Sequence, residues 1–170
     1  MYETIKLLFD ICLFRKGPAD IPYSRWLQKI LLLTYASVRF LMLNFDMDWR
    51  NVLLHIGVEI TFIWSFSWIM LYCIGRLPRL CQVTSAFYGT FAVIGFFTLP
   101  AFASIAIGHG GWLVFIVMLA ITSWFCAVTA RIIYHTLDQR LSLSIGVAFL
   151  FLMGSYLLLD FLFPDRFGII

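Results

Sequence analysis

The sequence has few charged residues for its length. Only 12% of its 170 residues are Asp, Glu, Lys or Arg, whereas 62% are hydrophobic. Average globular proteins are nearer a quarter charged. A soluble domain of this size leaves much of its surface in water and could not bury so many apolar side chains. The composition excludes a soluble fold and predicts an integral membrane protein.

The sequence also lacks paired cysteines and clustered metal ligands. Four cysteines are present, none of them in a C-x-x-C pair: Cys12, Cys73, Cys81 and Cys126. This spacing excludes a disulfide-exchange site and a Cys/His metal site. We expect four reduced thiols that fill apolar space. With only three histidines, bis-histidine haem ligation has little support, and no cofactor is predicted.

Motifs of known enzyme classes are absent as well. The sequence has no G-x-S-x-G, no H-E-x-x-H, no glycine-rich phosphate loop before a helix and no repeated Asp motif of the phospholipid-synthase kind. Its net charge of +3 is not concentrated in a basic run long enough to bind nucleic acid. We therefore predict no catalytic residue and no nucleic-acid partner.

Five hydrophobic runs are present, each close to the roughly 20 residues that span the hydrocarbon core of a bilayer. They cover residues 24–43, 52–74, 83–105, 112–134 and 142–163. The predicted fold class is therefore all-α, a polytopic bundle of five transmembrane helices. The chain divides into an N-terminal region, residues 1–23, and a membrane domain, residues 24–170.

The N-terminal region is predicted to form an amphipathic helix on the membrane surface. Its apolar residues recur at helical spacing: Ile5, Leu8, Phe9, Cys12 and Leu13. Gly17, Pro18 and Pro22 then make a rigid, turned linker, because proline cannot continue a helix. Ser24 is the predicted N-cap of the first span.

Lys and Arg are distributed unequally between the two sides of the predicted bundle. One side carries Lys6, Arg15, Lys16, Arg25, Lys29, Arg76, Arg79, Arg131 and Arg140. The other side carries Arg39, Arg50 and Arg166. The positive-inside rule places the N-terminus in the cytoplasm and the C-terminus outside. From the size of the protein and the absence of a targeting signal, we expect a bacterial inner membrane.

Four ionisable residues occur at similar depth within the predicted spans: Arg39, His55, Glu59 and Asp160. A charge at membrane depth costs roughly 3 kcal/mol or more and usually faces protein. Arg39 is predicted to pair with Glu59 or Asp160, with His55 bonded in the same cluster. The cluster is either a structural tie between three helices, a proton or ion relay, or a set of groups that snorkel separately. No third metal ligand accompanies His55 and Glu59, so no metal site is predicted.

Small residues on the third and fifth spans are predicted to mediate helix packing. They are Ser85, Gly89, Gly95 and Gly146. Small side chains let neighbouring backbones approach closely inside a membrane. Thr84, Tyr88 and Thr98 share a side of the third span with Gly95, which makes this side the polar one.

The span layout resembles that of the Yip-type five-span membrane proteins. The sequence RLCQVTSAFYGT at residues 79–90, with Leu99-Pro100 after it, is similar to their bacterial relatives. The Asp-Leu-Tyr-Gly-Pro type sequence of the eukaryotic members is absent, and Asp20-Ile21-Pro22-Tyr23 is only a partial match. The resemblance implies a five-span layout and no defined activity, and it carries over no functional residue.

The leading functional prediction is non-enzymatic: a small scaffold or accessory subunit in a lipid bilayer, bound to a membrane-protein partner or to a second copy. Two alternatives remain open. One is a channel or proton-coupled transporter that uses His55, Glu59 and Asp160, which requires a polar cavity reaching Glu59. The other is an intramembrane enzyme acting on a lipid or quinone, which requires a pocket of that size with convergent polar groups.

Overall fold

The computed structural model describes residues 2–44, 48–106, 108, 111–137 and 140–163, and within them every regular element is helical. The six α-helices are α1 (Tyr2–Cys12), α2 (Arg25–Leu43), α3 (Trp49–Ile74), α4 (Leu80–Ala106), α5 (Trp112–Leu137) and α6 (Leu141–Leu162). Short 3₁₀ turns at Pro18–Asp20 and Leu77–Arg79 precede α2 and α4. His109 and Arg166 lie outside the described residues.

Helices α2 to α6 are each long and apolar enough to cross a bilayer. The prediction of five such helices is confirmed, and the described residues form an all-α fold with the composition of an integral membrane protein. Three of the helices are longer than predicted at one end. Helix α3 begins at Trp49, α4 begins at Leu80, and α5 ends at Leu137.

The helix ends follow from local sequence. The Ser24 hydroxyl accepts a hydrogen bond from the Leu27 amide at 3.3 Å, which confirms it as the N-cap of α2. Helix α3 ends at Ile74 and is capped by Gly75, whose φ of 70° lies in the left-handed region that favours glycine. Pro18 and Pro78 each occupy a 3₁₀ turn, where proline costs no helical hydrogen bond.

Helices α2 and α4 run side by side in the same direction. Gln28 Nε2 donates to Thr84 Oγ1 at 2.8 Å, and further along both helices Val38 lies against Gly95. The short connections make α3 and α5 antiparallel to them. We call the end at which α2, α4 and α6 begin the near end of the bundle, and the opposite end the far end.

Two of the predicted packing glycines hold helices close together. A Cβ at Gly95 would lie 3.0 Å from Val38 Cγ1, and a Cβ at Gly89 would overlap the side chain of Leu8. Ser85 is buried, and its hydroxyl donates to the Cys81 carbonyl within α4. Gly146 differs, because no described atom outside its own surroundings lies within 4 Å of a Cβ built there. The packing role predicted for Gly146 is therefore not seen among the described residues.

Helix α1 packs along the side of the bundle, against α4 and α5. Trp124 Nε1 donates to the Cys12 carbonyl at 3.0 Å, and the ring of Phe9 meets that of Phe97 edge-on. Gly89 and Phe97 stand nine and seventeen residues after the first residue of α4, about 14 and 26 Å along it at 1.5 Å per residue. Helix α1 thus reaches the middle of α4.

The buried face of α1 differs from the predicted apolar stripe. Leu7, Leu8, Ile11 and Cys12 are buried, whereas Ile5, Phe9 and Leu13 are exposed. Both faces are apolar, so spacing alone cannot distinguish the residues that contact protein from those left outside. The complementary shape of α4 at Gly89 selects Leu8 and its neighbours.

Candidate functional site

An ion pair between α2 and α3 forms the centre of the site. Arg39 Nε donates to Glu59 Oε2 at 2.7 Å, and Arg39 Nη2 also donates to Glu59 Oε1. The side chain of Glu59 is 7% exposed and that of Arg39 is 22% exposed. This two-point geometry is the strong form of an Arg–carboxylate contact. Of the two acids predicted as possible partners of Arg39, Glu59 is the one that the structure pairs with it.

Tyr35 completes the bonding of the carboxylate. It lies one helical turn before Arg39 on α2, and its hydroxyl donates to Glu59 Oε2 at 2.8 Å. The sequence places Tyr35 and Arg39 on one face of the helix, but nothing in the spacing shows that both reach the same acid. The Glu59 carboxylate therefore accepts three hydrogen bonds, which offset the loss of water around its charge.

His55 lies beside this pair without a close bond to it. Its side chain is fully buried, and Nδ1 is 3.9 Å from Glu59 Oε1, which is too long for a hydrogen bond. The imidazole also contacts the ring of Phe163, with centroids 5.4 Å apart. His55 is thus a neighbour of the ion pair rather than a direct ligand of it.

Asp160 lies outside the cluster. It is exposed on α6, and the described part of the chain offers it no ion pair or hydrogen bond with Arg39. The preceding residue, Leu159, is buried and faces the interior. Asp160 is turned by about 100° from Leu159 around α6 and does not belong to the cavity lining. The structure therefore brings three of the four predicted residues together and leaves out the fourth.

A cavity of about 520 Å³ lies between the five spans and borders the ion pair. Every one of α2 to α6 contributes to its wall, and most of the lining side chains are aliphatic or aromatic. This volume is within the range of small-molecule sites in proteins, roughly 300–1,000 Å³. No sequence pattern predicts this cavity, because its wall is assembled from five separate helices.

Phenylalanines close the cavity toward the near end. Phe91, Phe125 and Phe151 are the lining residues nearest that end on their helices. The rings of Phe91 and Phe125 are 4.4 Å apart, and those of Phe91 and Phe151 are 6.1 Å apart. Beyond them the interior is filled by buried side chains such as Phe87 and Val128. The cavity therefore occupies the far half of the bundle.

The charge of the wall is concentrated at the ion pair, and Tyr35, Ser155 and Tyr156 add hydroxyl groups to the lining. Thr98 and Thr122 also line the cavity, but each hydroxyl donates to a carbonyl of its own helix, at 2.8 Å in both cases. Among the described lining residues only Arg39 and Glu59 carry a charge. In the same part of the chain, no group of three His, Cys, Asp or Glu residues is placed to hold a metal ion.

No protein-family model, no curated protein and no solved structure matches this chain. The resemblance to the Yip-type proteins stays a prediction from residues 79–90 and the span layout.

Proposed function

We propose that the protein binds a lipid-like small molecule in the cavity between its spans. The observation that carries this proposal is a cavity of about 520 Å³ whose wall is mainly apolar and borders one hydrogen-bonded ion pair. Binding sites for small molecules combine an apolar wall with a few placed polar groups. The ion pair supplies such groups at one position, and the rings of Phe91, Phe125 and Phe151 supply an apolar surface for the rest of the ligand.

A proton or ion pathway has less support. Such a pathway needs a series of ionisable groups across the membrane. Arg39 and Glu59 are the charged residues of the described cavity wall, and each is occupied by the other. Toward the near end the path meets Phe91, Phe125 and Phe151. We therefore favour an apolar occupant over a permeating ion.

The proposed orientation follows from the Lys and Arg distribution. The near end carries most of the basic residues, so the positive-inside rule assigns it to the cytoplasm. The cavity would then lie in the outer half of a bacterial inner membrane. Helix α1 would extend from the cytoplasmic side to the middle of the membrane, where Phe9 meets Phe97, with its exposed Ile5 and Leu13 in lipid. Membership of the Yip-type family is part of the same proposal and adds no activity to it.

The experiment that tests ligand binding compares the same substitution inside and outside the cavity. Ser155 lines the cavity on α6, whereas Ser123 is exposed on α5 and lies outside the lining. The wild type, Ser155→Trp and Ser123→Trp would be purified in mild detergent, and small molecules extracted from each would be identified by mass spectrometry. We expect a lipid-like molecule in near-stoichiometric amount from the wild type and Ser123→Trp, and its loss from Ser155→Trp. Equal recovery from Ser155→Trp would contradict the proposal.

The accessory-subunit role is kept as a second candidate because Gly146 remains without a contact inside this chain, as far as the described residues extend. Gly89 and Gly95 are already used within the bundle, so they no longer support an external partner. Gly146→Leu should then reduce co-purification of a partner from native membranes. Gly57→Leu, a matched change at another exposed glycine with open space around it, should leave co-purification unchanged.

A further inference from the structure

We infer that the ligand of the central cavity is a neutral amphiphile: an apolar chain or ring system with one small oxygen-bearing head group, such as a long-chain alcohol, an isoprenoid alcohol or a quinone. The inference rests on the proposed binding function and specifies its substrate class. It excludes fatty acids and phospholipids, because their head groups contain ionised groups that would have to leave water.

The side chains that line the cavity carry no net charge. Arg39 and Glu59 compensate each other, and no other charged side chain belongs to the described cavity wall. The site as a whole is therefore neutral. A charged head group entering it would lose its water without gaining a free counter-charge, which is unfavourable in an apolar surrounding.

An anionic head group would disturb the ion pair between Arg39 and Glu59. A carboxylate or phosphate could bind Arg39 only in competition with Glu59. The Glu59 side chain is 7% exposed, so a carboxylate displaced from Arg39 would remain buried without its partner. Removing one partner from a buried pair is strongly unfavourable. The ion pair therefore acts against anionic ligands.

Arg39 can still offer a hydrogen bond to a ligand while it is paired with Glu59. A guanidinium has five N–H donors, and two of the Arg39 nitrogens bond to Glu59. Arg39 is the more exposed partner, 22% against 7%, and it lines the cavity. It can donate to a hydroxyl or carbonyl oxygen while keeping its bonds to Glu59. A neutral oxygen is thus the head group that the site accommodates at least cost.

The apolar part of the ligand has its own part of the cavity wall. Ile63, Phe91, Phe125 and Phe151 form the part of the wall between the ion pair and the near end. They offer aromatic and aliphatic surface only, so an apolar chain or ring placed there removes hydrophobic area from other surroundings without burying a polar group. Head group and apolar body are therefore bound at different positions of one cavity.

The test measures specific binding of radiolabelled hexadecanol and palmitate, which share a chain and differ in head-group charge. Binding is measured at about pH 8, where a carboxylic acid is ionised, and the signal of Ser155→Trp is subtracted as background. We expect the wild type to bind hexadecanol at least about tenfold more tightly than palmitate. If the wild type binds palmitate equally well or better, and Ser155→Trp loses both, the neutral-ligand inference is overturned while ligand binding stands.

A variant that changes the charge of the cavity wall provides a second test of the neutral-ligand inference. Glu59→Gln leaves Arg39 uncompensated, so the site becomes positive and its preference should reverse in favour of palmitate by about tenfold. The Arg39→Gln, Glu59→Gln double variant is neutral again and should prefer hexadecanol. If Glu59→Gln does not fold, Thr122→Lys adds a positive charge to the cavity wall without breaking the pair and should raise palmitate binding. An unchanged preference in a folded charge variant overturns the inference. Equal signals from Ser155→Trp and the wild type for both probes would overturn the proposed function itself.

Discussion

Arg39 on α2 and Glu59 on α3 form a two-point ion pair inside the membrane-spanning part of the chain, with Arg39 Nε 2.7 Å from Glu59 Oε2. Both residues are largely buried, and they border a cavity that is otherwise mostly apolar. The pair therefore joins two helices and also sets the charge of the cavity. These two roles respond differently to substitution, which makes them separable by experiment.

Glu59→Ala should destabilise the protein, because Arg39 would remain buried without its counter-charge. Breaking a buried ion pair by removing one partner costs about 3–5 kcal/mol. Thermal unfolding in detergent should show a clearly lower midpoint for this variant. An Arg39→Met, Glu59→Leu double variant should recover most of the loss, since it leaves no unpaired charge. A wild-type melting curve for Glu59→Ala alone would show that the pair contributes little to stability.

Asp160→Asn should leave stability unchanged, within about 0.5 kcal/mol, as expected of a surface substitution. Asp160 is exposed, and within the described residues it forms no ion pair with Arg39. The same melting experiment therefore separates the two acids that the sequence offers as partners for Arg39. A loss comparable to that of Glu59→Ala would indicate that Asp160 belongs to the cluster after all.

Glu59 and Asp160 show how much of the site could be predicted from the sequence. A buried charge needs a partner, and this requirement correctly predicts Arg39 with Glu59. The same reasoning admits Asp160, because depth along a span is readable from sequence whereas the direction of a side chain around α6 depends on packing. Leu159 and Asp160 are adjacent in the chain, yet only Leu159 faces the cavity.

Helix α1 shows a second feature that could not be predicted from the sequence. Apolar periodicity correctly predicts a helix, but in a membrane protein both the protein-facing and the outer surfaces are apolar. The sequence therefore favours the stripe that includes Ile5 and Leu13, whereas the structure buries Leu7 and Ile11. The five spans are predictable because their length is set by the bilayer. The cavity is not, because it depends on gaps between side chains of five helices.

Gly89→Leu should detach α1 from the bundle. A Cβ at this position would already overlap the side chain of Leu8, so the larger leucine side chain has to displace Leu8 from α4. Cys12, which is buried in the same interface, should then become accessible to a thiol reagent. In a chain whose other three cysteines are alanine, maleimide labelling of Cys12 should be slow in the wild type and at least about tenfold faster in the variant. Gly57→Leu is the matched control, and equal labelling of Cys12 in Gly89→Leu and wild type would contradict this packing.

Alkaline pH should weaken the same interface through Cys12. Burial raises the pKa of the Cys12 thiol from 9.0 to about 12. Detached α1 would lose the thiol proton at the lower value, whereas docked α1 retains it. The contribution to docking is therefore complete below about pH 9 and is lost progressively as the pH rises toward 12. Limited proteolysis of the N-terminal region across this range should show release of α1 in the wild type. Cys12→Ala lacks the titrating group, so its profile should be flatter, and identical profiles for the two proteins would exclude Cys12 as the cause.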